Sequence, residues 1–189
     1  NDEPASISVQ SPRRHSTPAH WSNYVAGVIA GFRSRGTTIP AFQAVIDTNL
    51  TGGFLMAREC YLQSMQRNGG SIVNIVADMW GSMPNMGHSG AARAGMVSFT
   101  QTAAAEWARS GVRVNAVCPS HTRTAMVDAF VKLSGAAEDV AHAELTRGVP
   151  MKRVAEVHEV VEVILFAADP KNSFMTGHTL AVDGGVSAV

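Results

Sequence analysis

Charge of one sign is the first thing missing. Fifteen basic and fifteen acidic side chains cancel over 189 residues, and only 16% of positions are charged. Without a net field, nothing draws in nucleic acid or an anionic membrane surface. Cysteine is scarce as well. Cys60 and Cys118 stand far apart and without metal-ligand spacing, which excludes a disulfide framework and leaves no metal site to expect. Two buried thiols in a reducing cytosol is the reading, and with it a cytoplasmic location. No apolar run approaches the roughly eighteen residues of a membrane span. Arg13-Arg14 is a twin arginine, but the apolar stretch behind it, Tyr24 to Phe32, is too short and too late for an export signal. The chain begins with Asn1 rather than Met, so an upstream segment is expected to be lacking.

What is present is apolar material. Hydrophobic residues make up 46% of the chain, enough for a core and too many for disorder. Residues 1–20 carry Ser, Pro and Arg without a hydrophobic period and read as an irregular arm. Residues 21–189 read as one domain. A short strand is expected near Tyr24–Ala26, ending at Gly27. A long helix follows over 41–67, its apolar face given by Phe42, Ile46, Asn49, Gly53, Met56 and Cys60 at steps of three and four. Asn68-Gly69-Gly70 stops it.

Ser71 to Val76 is nearly continuous in β-branched residues, which predicts a strand buried on both faces of a parallel sheet. A loop rich in Gly, Met and Pro runs from Asp78 to Gly87. A second long helix covers 88–110, Val112–Val117 is a strand, and 125–147 reads as one amphipathic helix. Val157–Ala168 is helical and Thr179–Val182 is a last strand. This alternation predicts an α/β fold with a doubly wound parallel sheet.

Four blocks in order carry a family resemblance: Val45-Ile-Asp-Thr-Asn49-Leu-Thr-Gly, Gly70-Ser-Ile-Val-Asn-Ile, Gly111-Val-Arg-Val-Asn-Ala-Val-Cys-Pro119 and Met175-Thr-Gly-His-Thr-Leu-Ala-Val-Asp-Gly-Gly185. Over residues 41–186 the chain resembles the short-chain dehydrogenase/reductases. His88-Ser-Gly-Ala-Ala-Arg-Ala-Gly95 with Ala105-Glu-Trp-Ala is similar to the branch around peroxisomal trans-2-enoyl-CoA reductase. Asp78-Met-Trp-Gly is similar to bacterial citronellol/citronellal dehydrogenases. The resemblance implies a Rossmann-like fold, NADP or NAD as cofactor, a small acyl or terpenoid substrate, and a homodimer or homotetramer. The dimer would join through helices 41–67 and 88–110, with Ala103 and Trp107 facing outward.

Two family features are missing. The glycine turn that holds the cofactor pyrophosphate has no match. Gly27-Val-Ile-Ala-Gly31-Phe-Arg33 puts Arg where the third Gly belongs, and Gly27 lies 22 residues before Asn49. That distance suits a later turn of the family, so the domain is expected to be N-terminally truncated. The Tyr-x-x-x-Lys pair is missing as well. The resemblance puts Ser89 at the tyrosine, Arg93 at the lysine and Ala77 at the upstream serine. A serine hydroxyl is no comparable acid, and Arg does not relay protons at pH 7.

Reduction of a conjugated enoyl thioester needs less, because a hydrogen-bond donor suffices to stabilise the enolate oxygen. The expected catalytic set is Asn49, Ser89, Arg93 and His88. Ser89 would donate to the oxygen, Arg93 would hold the nicotinamide ribose and His88 would give the proton. Ser89 is read equally well as a helix N-terminal cap. Cofactor contacts are expected from Gly27, Asn49, Arg93, Pro119 and Thr124, and substrate contacts from Asp78 and Trp80. Two other outcomes stay open: a non-catalytic remnant serving as a subunit-interaction module, and an alcohol or 3-oxoacyl dehydrogenase.

Overall fold

The computed structural model describes residues 39–189 except 79, 81, 82 and 84. The expected arm, the strand at 24–26 and Gly27 lie outside the described residues.

Residues 39–68 form one helical run, α1. It comprises Ile39–Ile46, a π turn Asp47–Thr51, Gly52–Cys60, a second π turn Tyr61–Met65, and Gln66–Asn68. The π turns correct the face expected from a 3.6 period. Each inserts an extra residue per turn and rotates everything after it. Met56 and Cys60 are therefore exposed, and Leu50, Ala57, Tyr61 and Met65 pack inward instead. Gly69, at φ 68°, ends the run in a conformation that disfavours side chains.

Strand β1 (Gly70–Ile75) pairs in parallel with β2 (Val112–Pro119), and β2 with β3 (Thr179–Val182), in the order β1-β2-β3. Burial on both faces belongs to β2, whose side chains from Val114 to Cys118 are fully enclosed. β1 does not share it. Among the described residues it is an edge, and Ile75 is 50% exposed.

Helix α2 (Gly87–Trp107) lays Ala92, Met96, Val97, Thr100, Ala103, Ala104 and Trp107 against the sheet. Ala103 and Trp107 thus face inward, which corrects the outward face expected for them. Trp107 stacks on Tyr61 at 4.4 Å, locking α1 to α2. The helices cross closely because of two glycines. A Cβ on Gly95 would sit 2.8 Å from Leu50 Cδ2, and one on Gly53 3.0 Å from Met96 Cε.

The segment 125–147 is two helices, α3 (Ala125–Leu133) and α4 (Glu138–Leu145), not one. Gly135 at φ 66° and a turn bond from Ala136 N–H to Ser134 Oγ break it. Helix α5 (Val157–Ala168) covers the opposite face of the sheet from α1 and α2. Its start is closed by a capping box, Glu156 with Glu159. At its other end the Arg113 guanidinium donates to the carbonyls of Ala167, Ala168, Asp169 and Met175 at 2.9–3.3 Å. A cation there meets the negative end of the helix dipole.

Glu159 contributes an acid-sensitive link. Both its oxygens accept from Arg153 at 2.7 Å, and one also accepts the Glu156 N–H. These bonds hold its carboxyl down at about 2, from an ordinary 4.5. A depressed folded value gives stability that is present above the ordinary value and lost as pH falls through the folded one. We expect Tm to drop between about pH 4.5 and 2. The drop shrinks in Glu159→Gln when melting is followed by circular dichroism.

Candidate functional site

In a parallel α/β sheet, polar groups for chemistry gather beyond the carboxyl ends of the strands. Here those ends are residues 76–78 after β1, Pro119 and Ser120 in β2 and its following loop, and Asp183 after β3. The β1–β2 pairing runs on past the strand, with Val76 N donating to Val117 O and Asp78 N to Pro119 O at 3.0 Å. Strand alternation then decides which side chains share a face. Ile72, Asn74 and Val76 point to α1 and α2, and Asp78 continues that row. On β2 the same face carries Val114, Ala116 and Cys118.

Helix periodicity brings α2 to the same place. Arg93 lies one turn before Val97 and two before Thr100, on the face that packs on the sheet, and Ser89 is one turn earlier still. Arg93 Nε donates to Ser89 Oγ at 3.1 Å. Ser89 is the third residue of α2 and makes no capping bond, so its hydroxyl pairs with the guanidinium instead. His88 is half-buried, and its Nδ1 accepts the Ser89 N–H at 2.8 Å. Its ring lies 6.5 Å from that of Phe42 on α1.

Asn49 sits in the first π turn of α1, half-buried, with Nδ2 donating to Val45 O at 3.2 Å. The next residue, Leu50, packs into the cluster of Val76, Met96, Ala116 and Cys118. The π turn therefore lies beside α2 and over the sheet end. Asp78 is half-buried and accepts the Trp80 N–H at 3.4 Å, while Trp80 is 51% exposed. Thr124 is exposed at the start of α3, where its carbonyl accepts from Asp128 N. Its loop is tied to α5 by Arg123 Nε donating to Glu156 Oε1 at 2.8 Å and by paired backbone bonds between 121–123 and Ala155.

Cys118 is buried, as the sequence reading expected, but its place in this group was not read from the sequence. It forms the floor beneath this group, and the signal for it was the alternation of β2. Burial pushes its thiol up to about 11, with Asp78 adding to the rise and Trp80 and Arg93 opposing it. Cys60 is exposed, which corrects the expectation of two buried thiols. In the native chain we expect iodoacetamide to modify Cys60 alone, and Cys118 only after unfolding, as read by peptide mass spectrometry.

Asp183 has a structural part. Burial raises its carboxyl, but hydrogen bonds from Ser187 and Gly185 outweigh that and hold it below the usual range. Near it a cavity of about 280 Å³ is lined by Ser120, His121, Val149, Met151 and Val182. None of Asn49, Ser89 and Arg93 lines that cavity.

A parallel sheet with helices on both faces and polar groups at the carboxyl ends of its strands is the architecture of the doubly wound α/β class. Within that class the chain belongs to the short-chain dehydrogenase/reductase family: residues 24–187 match the family model described as Enoyl-(Acyl carrier protein) reductase. The structure resembles that of a citronellol catabolism dehydrogenase, AtuB, of Pseudomonas aeruginosa PAO1. The identity is 46% and the TM-score 0.64, over 79% of this chain and 55% of that one. It also resembles ElxO with NADP bound, at 26% identity and a TM-score of 0.74, over 81% and 60% of the two chains. A 3-oxoacyl-[acyl-carrier-protein] reductase of Synechocystis is 38% identical over 148 residues, 77% of this chain and 56% of that protein. The chain spans a little over half the length of these relatives.

Proposed function

We propose that this chain takes part in the nicotinamide-dependent reduction of a conjugated enoyl thioester, with a fatty-acyl or terpenoid chain, in the cytoplasm. One observation carries the reading: the Arg93–Ser89 bond at 3.1 Å. It occupies the acceptor side of the Ser89 hydroxyl with a cation, so the O–H is left to donate, and the neighbouring charge strengthens that donor. A donor of this kind stabilises an enolate oxygen without having to give up its proton. Ketone reduction asks the same position for an acid, which serine is not. The names of the relatives, acyl reductases and a citronellol dehydrogenase, support an acyl or terpenoid substrate.

The residues present suit the nicotinamide end of NADP or NAD. Arg93 and Asn49 offer donors for ribose and carboxamide, and Pro119 and Thr124 flank the loop after β2. When bound, the cofactor supplies the hydride. Ser89 then holds the thioester oxygen, Arg93 polarises Ser89, and Trp80 gives the acyl chain an apolar wall. A homodimer or homotetramer through α1 and the small-residue face of α2 (Ala91, Ala94, Ser98) completes the reading.

The test is a titration of NADPH and NADH into the purified chain, followed by cofactor fluorescence with circular dichroism as the folding control. Micromolar saturable binding supports the proposal, and assays with enoyl-CoA thioesters and terpenoid alcohols then separate it from an alcohol dehydrogenase. A folded chain that binds nothing up to millimolar cofactor overturns it and leaves a subunit-interaction module.

A further inference from the structure

We propose that the Arg123–Glu156 ion pair positions Thr124 for the nicotinamide end of the cofactor, with Arg123 as a positioning residue and not a catalytic one. The role rests on the cofactor reading above and goes beyond it by naming what holds the loop after β2 in place.

None of residues 120–124 is buried, so packing does little to fix this loop. Hydrogen bonds hold it instead. At its start the Ser120 N–H donates to Val182 O at 3.2 Å, and the Ala155 N–H donates to His121 O at 2.9 Å. The Arg123 N–H then donates to Ala155 O at 2.8 Å. To these backbone bonds a side chain adds one that reaches α5: Arg123 Nε donates to Glu156 Oε1 at 2.8 Å. Holding Arg123 steadies its neighbour Thr124, whose carbonyl opens α3 by accepting the Asp128 N–H.

An exposed ion pair usually contributes little, because two long side chains must be held still and salt screens them. The side chains of Arg123 and Glu156 are 47% and 44% exposed. Part of the ordering is already in place here. Glu156 caps α5, so its side chain is fixed by the Glu159 N–H. Glu159 is held in turn by Arg153 through two bonds of 2.7 Å. Two cations and two carboxylates thus form one network at the helix start, and networks are where exposed pairs count. The helix packs across all three strands, so the loop at the sheet end is tied to the body of the fold.

The test titrates NADPH into this chain, Arg123→Ala, Arg123→Lys, Glu156→Gln and the double variant Arg123→Ala/Glu156→Gln, followed by cofactor fluorescence. Glu156→Gln keeps an oxygen for the α5 cap and removes the charge. At low salt Arg123→Ala and Glu156→Gln each raise Kd about 5-fold, the upper end for an exposed pair. The double variant is no worse than either single one, because both act through one bond. At about 1 M salt the gap to wild type closes, since screening has already weakened the pair in the wild type. Arg123→Lys recovers part of the affinity, and circular dichroism checks the fold. Direct attraction of the anionic cofactor by Arg123 would instead make Glu156→Gln bind more tightly, because the cation is freed. Tighter binding by Glu156→Gln, equal Kd in wild type and Arg123→Ala, or losses that add in the double variant overturn the positioning role and leave the cofactor reading standing. A folded wild type that binds no cofactor overturns both.

Discussion

On the proposed enoyl-thioester reduction, Ser89→Ala is expected to lower kcat by about 10²–10³-fold, the usual loss when one donor to a developing oxyanion is removed. The substitution takes out the hydroxyl that Arg93 holds at 3.1 Å. It leaves the helix intact, since alanine is the best helix former and Ser89 makes no cap. KM for the cofactor therefore stays close to wild type, and the loss falls on kcat. Ser89→Thr, which keeps a hydroxyl, recovers part of the rate. The check is steady-state oxidation of NADPH with an enoyl-CoA, with circular dichroism confirming the fold. Equal kcat in wild type and Ser89→Ala would show that this hydroxyl has no part in the chemistry.

Asn115→Leu gives the largest expected effect on stability, about 3 kcal/mol, which in a chain of this size lowers Tm by roughly 6–12 °C. Asn115 is fully buried in the middle of β2. Its Nδ2 donates to Met175 O at 3.0 Å and its Oδ1 accepts His178 N–H at 3.1 Å, so it stitches the segment before β3 onto β2. Leucine is of similar size but strands both groups. The His178 N–H loses this partner, and Met175 O keeps only the longer bond from Arg113. Leaving these part-buried polar groups unpaired against an apolar side chain costs more than a hydrogen bond gains. A melting curve within 2 °C of wild type would sink this account of the residue, on the same scale.

Both residues stand in blocks quoted from the sequence, and only for Ser89 was a neighbour legible there. Asn115 belongs to a block quoted for its resemblance, and nothing in Val-Arg-Val-Asn-Ala-Val says what its amide bonds. Its partners lie some sixty residues away and reach it only because β3 pairs with β2. Ser89 and Arg93 were legible as a pair, because residues four apart on a helix are neighbours whatever the rest of the chain does. The same local logic misplaced Met56 and Cys60. A 3.6 count assumes an uninterrupted α-helix, and the two π turns of α1 break it. The outward face given to Ala103 and Trp107 rested on resemblance and not on the row they share with Met96 and Thr100.

By itself the sequence determined the order of the elements, the parallel character of the sheet and the residue types at the head of α2. Those follow from local periodicity, β-branched runs and glycine stops, which act over a few residues. The tertiary structure decided which strand is enclosed, which thiol is accessible and which polar groups meet. β1 and β2 have similar composition, but β2 has neighbours on both sides and β1 has one among the described residues. Asp78, Ser89, Arg93 and Cys118 come together because strand alternation and the α2 crossing point them to one end of the sheet. That convergence is a property of packing between distant segments, and no local pattern contains it.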